Sequence, residues 1–146
     1  MNIKNIHDLE RYGFLWSEAR LLIAALALLI NGVPPIYLIA PPGLFALARF
    51  GLVVSWLVSG AFALFLMYRW HVAKHTLFTK KRTDDMVAFL ILGISGLNLG
   101  LVPILGKNIG MSFSHNRLAF LIVAAAYIYA AYHLYSRWKS NGEKLF

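Results

Sequence analysis

Four long apolar stretches separated by short polar ones set the pattern of this chain: roughly Leu21–Ala40, Phe45–Trp70, Met86–Leu105 and Leu118–Arg137. Each is near the ~20 residues that cross a bilayer as a helix. The connections are too short for a second domain. The pattern therefore predicts an all-α membrane protein of four transmembrane helices. Ahead of the first run, Ile3, Ile6, Leu9, Tyr12, Leu15 and Trp16 recur at roughly helical spacing among charged and polar positions. That spacing predicts an amphipathic N-terminal helix, which either leads straight into run 1 or lies on the membrane surface as a docking face.

Small and helix-breaking residues punctuate the runs. Run 1 meets Asn31, Gly32, Pro34 and Pro35 in its second half, and Ala40-Pro-Pro-Gly43 predicts a tight turn. A proline removes the hydrogen bond to the carbonyl four residues earlier, so Pro34 is expected to free the carbonyl of Ile30, and Pro35 that of Asn31. Run 2 carries Gly51, Ser55 and Ser59 at four-residue spacing, and run 3 carries Gly93, Gly96 and Gly100. Such rows let helix backbones approach closely in lipid. Pro103 is expected to free the carbonyl of Leu99. Thr83, Asp84 and Asp85 offer capping groups and negative charge where run 3 begins.

The two halves correspond. Arg49 and Arg117, Arg69 and Arg137, Trp70 and Trp138, and Pro35 and Pro103 are each separated by 68 positions, and Asn31 and Asn98 by 67. Five matches at nearly one offset predict a duplicated helical hairpin within a single membrane domain. Repeat 1 covers about residues 18–70, a cytoplasmic loop residues 71–85, and repeat 2 about residues 86–138. Each unit holds an even number of spans, so the copies enter the membrane the same way round, as parallel repeats.

Charge then orients the prediction. The chain has 146 residues, 60% of them apolar, and a net charge of +8. Eleven of the 14 lysines and arginines fall before run 1, between runs 2 and 3, or after run 4, and only Arg49, Lys107 and Arg117 lie on the other side. The positive-inside rule places both termini and the middle loop in the cytoplasm. Topology and anionic lipid thus account for the basic balance without a nucleic-acid partner. The first run is too long, and too soon followed by another, to be a secretory signal. With no cysteine, disulfides, thiolate metal sites and thiol catalysis are excluded.

Few residues carry candidate chemistry. Counting eleven residues from Arg20 at ~1.5 Å each places Asn31 near the bilayer midplane, and Asn98 is similarly deep from Asp85. Each amide lies beside a carbonyl freed by Pro35 or Pro103, a combination that transporters use to hold ions. The simpler reading is that the amides satisfy those carbonyls or bond a neighbouring helix. No Asp or Glu falls within the four runs, which argues against a proton relay. Arg49 and Arg117 begin runs 2 and 4, where a cation opposes the helix dipole. Each is expected to fold back onto carbonyls of the preceding, proline-interrupted helix, with lipid phosphate as the competitor. His71, His75 and His133 share one end of the bundle, yet no carboxylate supports them as ligands. No cofactor is expected, and no catalytic constellation is found.

Ile94-Ser-Gly-Leu-Asn-Leu-Gly-Leu-Val102, followed by Asn116-Arg-Leu-Ala-Phe-Leu-Ile-Val-Ala-Ala-Ala-Tyr127, resembles the YuzA-like bacterial membrane proteins, a two-span family of unknown function. The family pattern reads Gly-x-Leu-Asn-Trp-Gly-Leu, then Ser-Arg and an aromatic. Here Leu99 replaces the tryptophan, and alanines replace the glycines of the second span. The resemblance covers residues 87–135 and implies a membrane hairpin with no assigned activity. The sequence as a whole points to a non-catalytic protein of the bacterial inner membrane, an accessory or scaffolding subunit that self-associates or joins other membrane subunits. A small ion or solute channel using Asn31, Asn98 and the freed carbonyls is the alternative.

Overall fold

A computed structural model describes residues 3–107 and 116–146. The described residues form helices and turns, with no strand among them. Helix α1 runs Ile3–Leu29, α3 Phe45–Val72, α4 Thr83–Gly100 and α6 Arg117–Ser140. Two short helices sit at the turns: α2, Ile36–Ile39, which precedes a 3₁₀ turn at Pro42–Leu44, and α5, Val102–Leu105, which continues the line of α4. The four long helices, α5 included with α4, are long and apolar enough to cross a membrane. The protein is thus consistent with a multi-pass membrane protein.

The helices form a four-sided bundle. α3 packs most closely on α4, and α1 on α6; α4 against α6 and α1 against α3 close the ring, while α1 and α4 also touch across the diagonal. Arg11 pairs with Glu143 at 3.0 Å, and the Phe78 N–H donates to the Leu145 carbonyl at 2.8 Å. Both chain ends and the loop after α3 therefore share one end of the bundle, here the near end. The α1–α3 connection and α5 make the far end.

Contrary to the run boundaries, α1 does not begin in earnest at Leu21. It is one helix from Ile3, and its first half packs inside the bundle, with Glu10, Phe14, Ser17, Glu18, Arg20 and Leu21 all buried. The amphipathic segment leads into run 1 and lies on no separate surface. α3, at 28 residues, sets the length to be matched; a 27-residue α1 spans about 40 Å at ~1.5 Å per residue.

Large side chains fill the near half of the core. Phe14 meets Trp138 with ring centroids 5.4 Å apart, and Trp70 meets Phe89 at 5.5 Å. Leu77, Phe78 and Leu145 close that end as a buried floor. Farther along, small residues take over. A Cβ added to Gly60 would lie 2.9 Å from the Gly100 Cα, and one on Gly96 would lie 2.7 Å from the Ala63 Cβ. Gly93 faces the flexible end of Met67. Of the run 2 row, Ser59 is buried, Ser55 is half-buried with its carbonyl accepting from the Ser59 hydroxyl, and Gly51 lies on the exposed face with nothing near. Gly51 therefore takes no part in the helix crossing; Gly60 does.

The outward faces are apolar on every long helix, including Leu22, Ile23, Phe50, Leu64, Ile94 and Ile122. Exposure on this scale would be a liability in water, whereas lipid tails match it.

Gly60→Ala should lower thermal stability in detergent by ~1–3 kcal/mol, because backbone cannot yield as a side chain can. Gly93→Ala, facing Met67, should cost less, and Gly51→Ala should leave the unfolding midpoint unchanged or raised. Equal effects at all three positions would contradict the crossing described.

Candidate functional site

The most polar part of the interior is the middle of α1. Arg20, 6% exposed, donates from Nη1 to the Ser95 hydroxyl at 2.9 Å and from Nη2 to the Leu92 carbonyl at 2.8 Å. Ser95 also donates to the Leu92 carbonyl at 2.9 Å, so one turn of α4 forms a small receptor for the guanidinium. Gly96 leaves the room: a Cβ there would lie 3.3 Å from Arg20 Nη2. Beside this tie, Ser17 Oγ, Glu18 Oε1 and Arg20 Nε are buried with no hydrogen-bond partner among the described residues. Trp16, on the side facing α3, donates to the Ser59 hydroxyl at 3.0 Å.

A second cluster joins α4 to α6. Asp85 is fully buried and accepts from Arg137 Nε at 3.1 Å and Nη2 at 3.1 Å, while His133 Nε2 lies 2.8 Å away on the other side. Arg137 also sits over the Phe78 ring, 5.4 Å from its centroid. α4 begins with Arg82 at its cap, without a side-chain capping bond. The capping expected of Thr83, Asp84 and Asp85 is thus not their use: Asp84 bonds Arg82 at the surface, and Asp85 turns inward. A third tie joins Glu10 of α1 to Arg69 of α3, with His7 at 3.2 Å from the same carboxylate. Past the end of α6, the Glu143 carboxylate accepts from the Lys139 ammonium, which with Arg11 holds that carboxyl below its usual range.

The four runs themselves hold no Asp or Glu, but the helices that contain them extend past the runs and do. Glu10 and Glu18 lie in the apolar helix Asn5–Leu29, and Asp85 lies in Thr83–Leu105. A signal existed: Glu10, Phe14, Ser17, Leu21 and Ala25 follow one another at three- and four-residue steps, the spacing of one helix face. Their partners on other helices carried no local signal.

Asn31 is not at mid-depth. α1 ends at Leu29; the Gly32 N–H reaches back to the Ala27 carbonyl at 2.7 Å and the Asn31 N–H to the Leu28 carbonyl at 3.2 Å. Asn31 has φ +64° and Gly32 φ +81°, the left-handed helix stop for which glycine and asparagine are suited. The helix is over before Pro34 and Pro35 could interrupt it. Their carbonyls instead accept from Tyr37 and Leu38, both at 3.0 Å, and start α2. Asn98 is half-buried within α4 and is hydrogen-bonded or otherwise engaged. Pro103 lies in the first turn of α5, just past the break at Leu101.

The bond that Arg117 makes runs to the other half of the chain, not to the helix that precedes it. Arg117 Nη1 donates to Asn31 Oδ1 at 2.7 Å, in the other half of the chain. Arg49 lines a cleft with Tyr37 of its own preceding segment and with Val102 and Pro103 of the other half. His71 and His75 meet edge to face with ring centroids 5.3 Å apart, while His133, contrary to the expectation of no carboxylate beside it, bonds Asp85. Among the described residues no group of three or more His, Asp or Glu is placed to hold a metal ion.

Comparison of the chain with family models, curated proteins and solved structures gave no match. The site must be read from its own geometry. Asp85→Asn should destabilise the protein by on the order of 3 kcal/mol, since it leaves the half-buried Arg137 without its counter-charge and His133 without its carboxylate partner. Asp84→Asn, one residue earlier and exposed, should cost under about 1 kcal/mol. Thermal unfolding of the two variants in detergent makes the comparison, and similar midpoints would remove Asp85 from its role.

Proposed function

We propose that this chain is a non-catalytic, multi-pass protein of the bacterial cytoplasmic membrane, an accessory or scaffolding subunit with both ends in the cytoplasm. The observation that carries this reading is how the interior polar groups are used. Arg20 ties α1 to α4, Asp85 ties α4 to α6, and Glu10 ties α1 to α3. The bundle's internal chemistry thus holds four helices in register, and its apolar outer faces are left for lipid, further copies or other membrane subunits.

The duplication belongs to the same reading. It is supported by a parallel between the halves: Arg69 and Arg137 each engage a carboxylate on the first long helix of their own unit. Residues 87–135, with their YuzA-like pattern, form the second unit on this view.

A second reading, a small ion or solute transporter, draws on a different observation. Glu18 Oε1, Ser17 Oγ and Arg20 Nε are buried together on α1 without hydrogen-bond partners among the described residues. Ionisable groups at such depth often mark a transport path.

Because the sequence has no cysteine, single reporters are simple to place. Lys107→Cys should react with an impermeant maleimide in intact cells, and Lys144→Cys only after permeabilisation. The reverse pattern would overturn the orientation. For function, purification from native membrane should bring down a stable membrane partner or a homo-oligomer, and liposomes should show no ion flux above the empty control. Flux that disappears on Glu18→Gln would establish the transport reading instead.

A further inference from the structure

The far end of the bundle holds three cations and no acid to meet them. Asp and Glu occur only at positions 8, 10, 18, 84, 85 and 143. None lies between Glu18 and Asp84 or between Asp85 and Glu143, the two stretches that build the far end. No ion pair among the described residues includes Arg49, Lys107 or Arg117. Arg117 is held by Asn31, a neutral acceptor that cancels no charge. The near end is the opposite case, with Glu10, Asp85 and Glu143 each paired to arginine or lysine.

Arg49 is the cation with a site around it. It is exposed at the start of α3 and lines a cleft of about 390 Å³ with Tyr37, Val53, Trp56, Pro103 and Gly106. Lys107 is exposed and is the next residue after Gly106. The composition is specific in kind. A planar guanidinium offers a fork that matches two oxygens of a phosphate. Tyrosine and tryptophan carry an apolar body and a polar tip, as residues at a lipid headgroup level do. Valine and proline supply an apolar wall on which the first part of an acyl chain can lie.

We propose that this cleft binds the phosphate of an anionic phospholipid in the leaflet at the far end, with Arg49 as its main contact and Lys107 flanking it. The occupant supplies the negative charge that the chain itself lacks there. The assignment rests on the membrane reading above. It adds a defined lipid site on the side of the protein where the positive-inside rule leaves few cations, so general attraction to a basic surface does not account for it.

The test uses the full-length protein in a zwitterionic detergent, titrated separately with phosphatidylglycerol, phosphatidylcholine and inorganic phosphate. Retained lipid is read by native mass spectrometry and stabilisation by thermal unfolding. Phosphatidylglycerol should be retained in preference to phosphatidylcholine. Arg49→Gln should weaken its retention about tenfold, the factor for one charge-assisted hydrogen bond, and Arg49→Lys should weaken it less. The near-end double variant Lys80→Gln/Lys81→Gln should retain it as the wild type does. Equal retention of the two lipids, or unchanged retention in Arg49→Gln, overturns the site. Inorganic phosphate that stabilises as well as the lipid and displaces it makes the occupant a soluble anion, which also overturns the lipid assignment. Release of the chain from membranes by alkaline carbonate sinks the membrane reading itself; a firmly embedded chain without lipid preference sinks only this site.

Discussion

The contact on which the arrangement turns is the guanidinium of Arg20 in the middle of the bundle. An arginine there is costly unless its donors are met. Two are, by a single turn of α4 in which Ser95 and the Leu92 carbonyl stand side by side. Much follows from that fit. α1 must enter the bundle as one helix, since a surface-lying first half would leave Arg20 at a boundary rather than in the core. α4 must come close enough across the diagonal, and Gly96 supplies the space at the position where any side chain would meet the guanidinium. The same glycine also lets α3 approach, so one small residue serves two contacts.

Given that register, the other ties fall at separate levels. Phe14 sits on Trp138 and fixes the height of α1 against α6. Asp85 then meets Arg137 and His133 nearer the end of the bundle, where the loop residue Phe78 covers Arg137. Burying Asp85 without Arg137 would be unfavourable by several times the worth of a surface pair, roughly 3–5 kcal/mol against under 1. The ties add specificity to a set of helices whose outer surfaces, being uniformly apolar, carry little of it.

The helices and the close contact of α4 with α3 were legible in the sequence because they depend on local composition. Four runs of apolar residues and a Gly-x-x-x-Gly spacing need no knowledge of what lies opposite. Gly60 was missed and Gly51 chosen because a row of small residues does not say which of its members faces a partner. The buried charges were illegible for a related reason. Glu10, Glu18 and Asp85 look like residues of a solvated helix end until the arginines on other helices are in place. Asn31 was misread through its neighbours: two prolines suggested a broken helix at depth, whereas the Asn-Gly pair itself is a helix stop. Its side chain then found Arg117, 86 positions away, a pairing that no local pattern encodes.

The two ends of the bundle differ in a way that bears on how such a protein sits among others. At the near end the buried carboxylates of Glu10 and Asp85 each meet an arginine of the same chain, and the C-terminal tail is drawn in by Arg11 and by the backbone bond to Phe78. The carboxylates of that end are matched inside the chain, and surplus cations such as Lys80 and Lys81 stand exposed on the loop. At the far end Arg117 reaches across to an amide oxygen of the other half, and Arg49 lines a cleft of proline and aromatic residues without a carboxylate. Crossed contacts of this kind join the halves without neutralising them. The two ends thus differ not in having surplus charge but in where it sits: the near end matches its buried carboxylates first and leaves the surplus on exposed loop lysines, whereas the far end has no carboxylate to offer any of its cations.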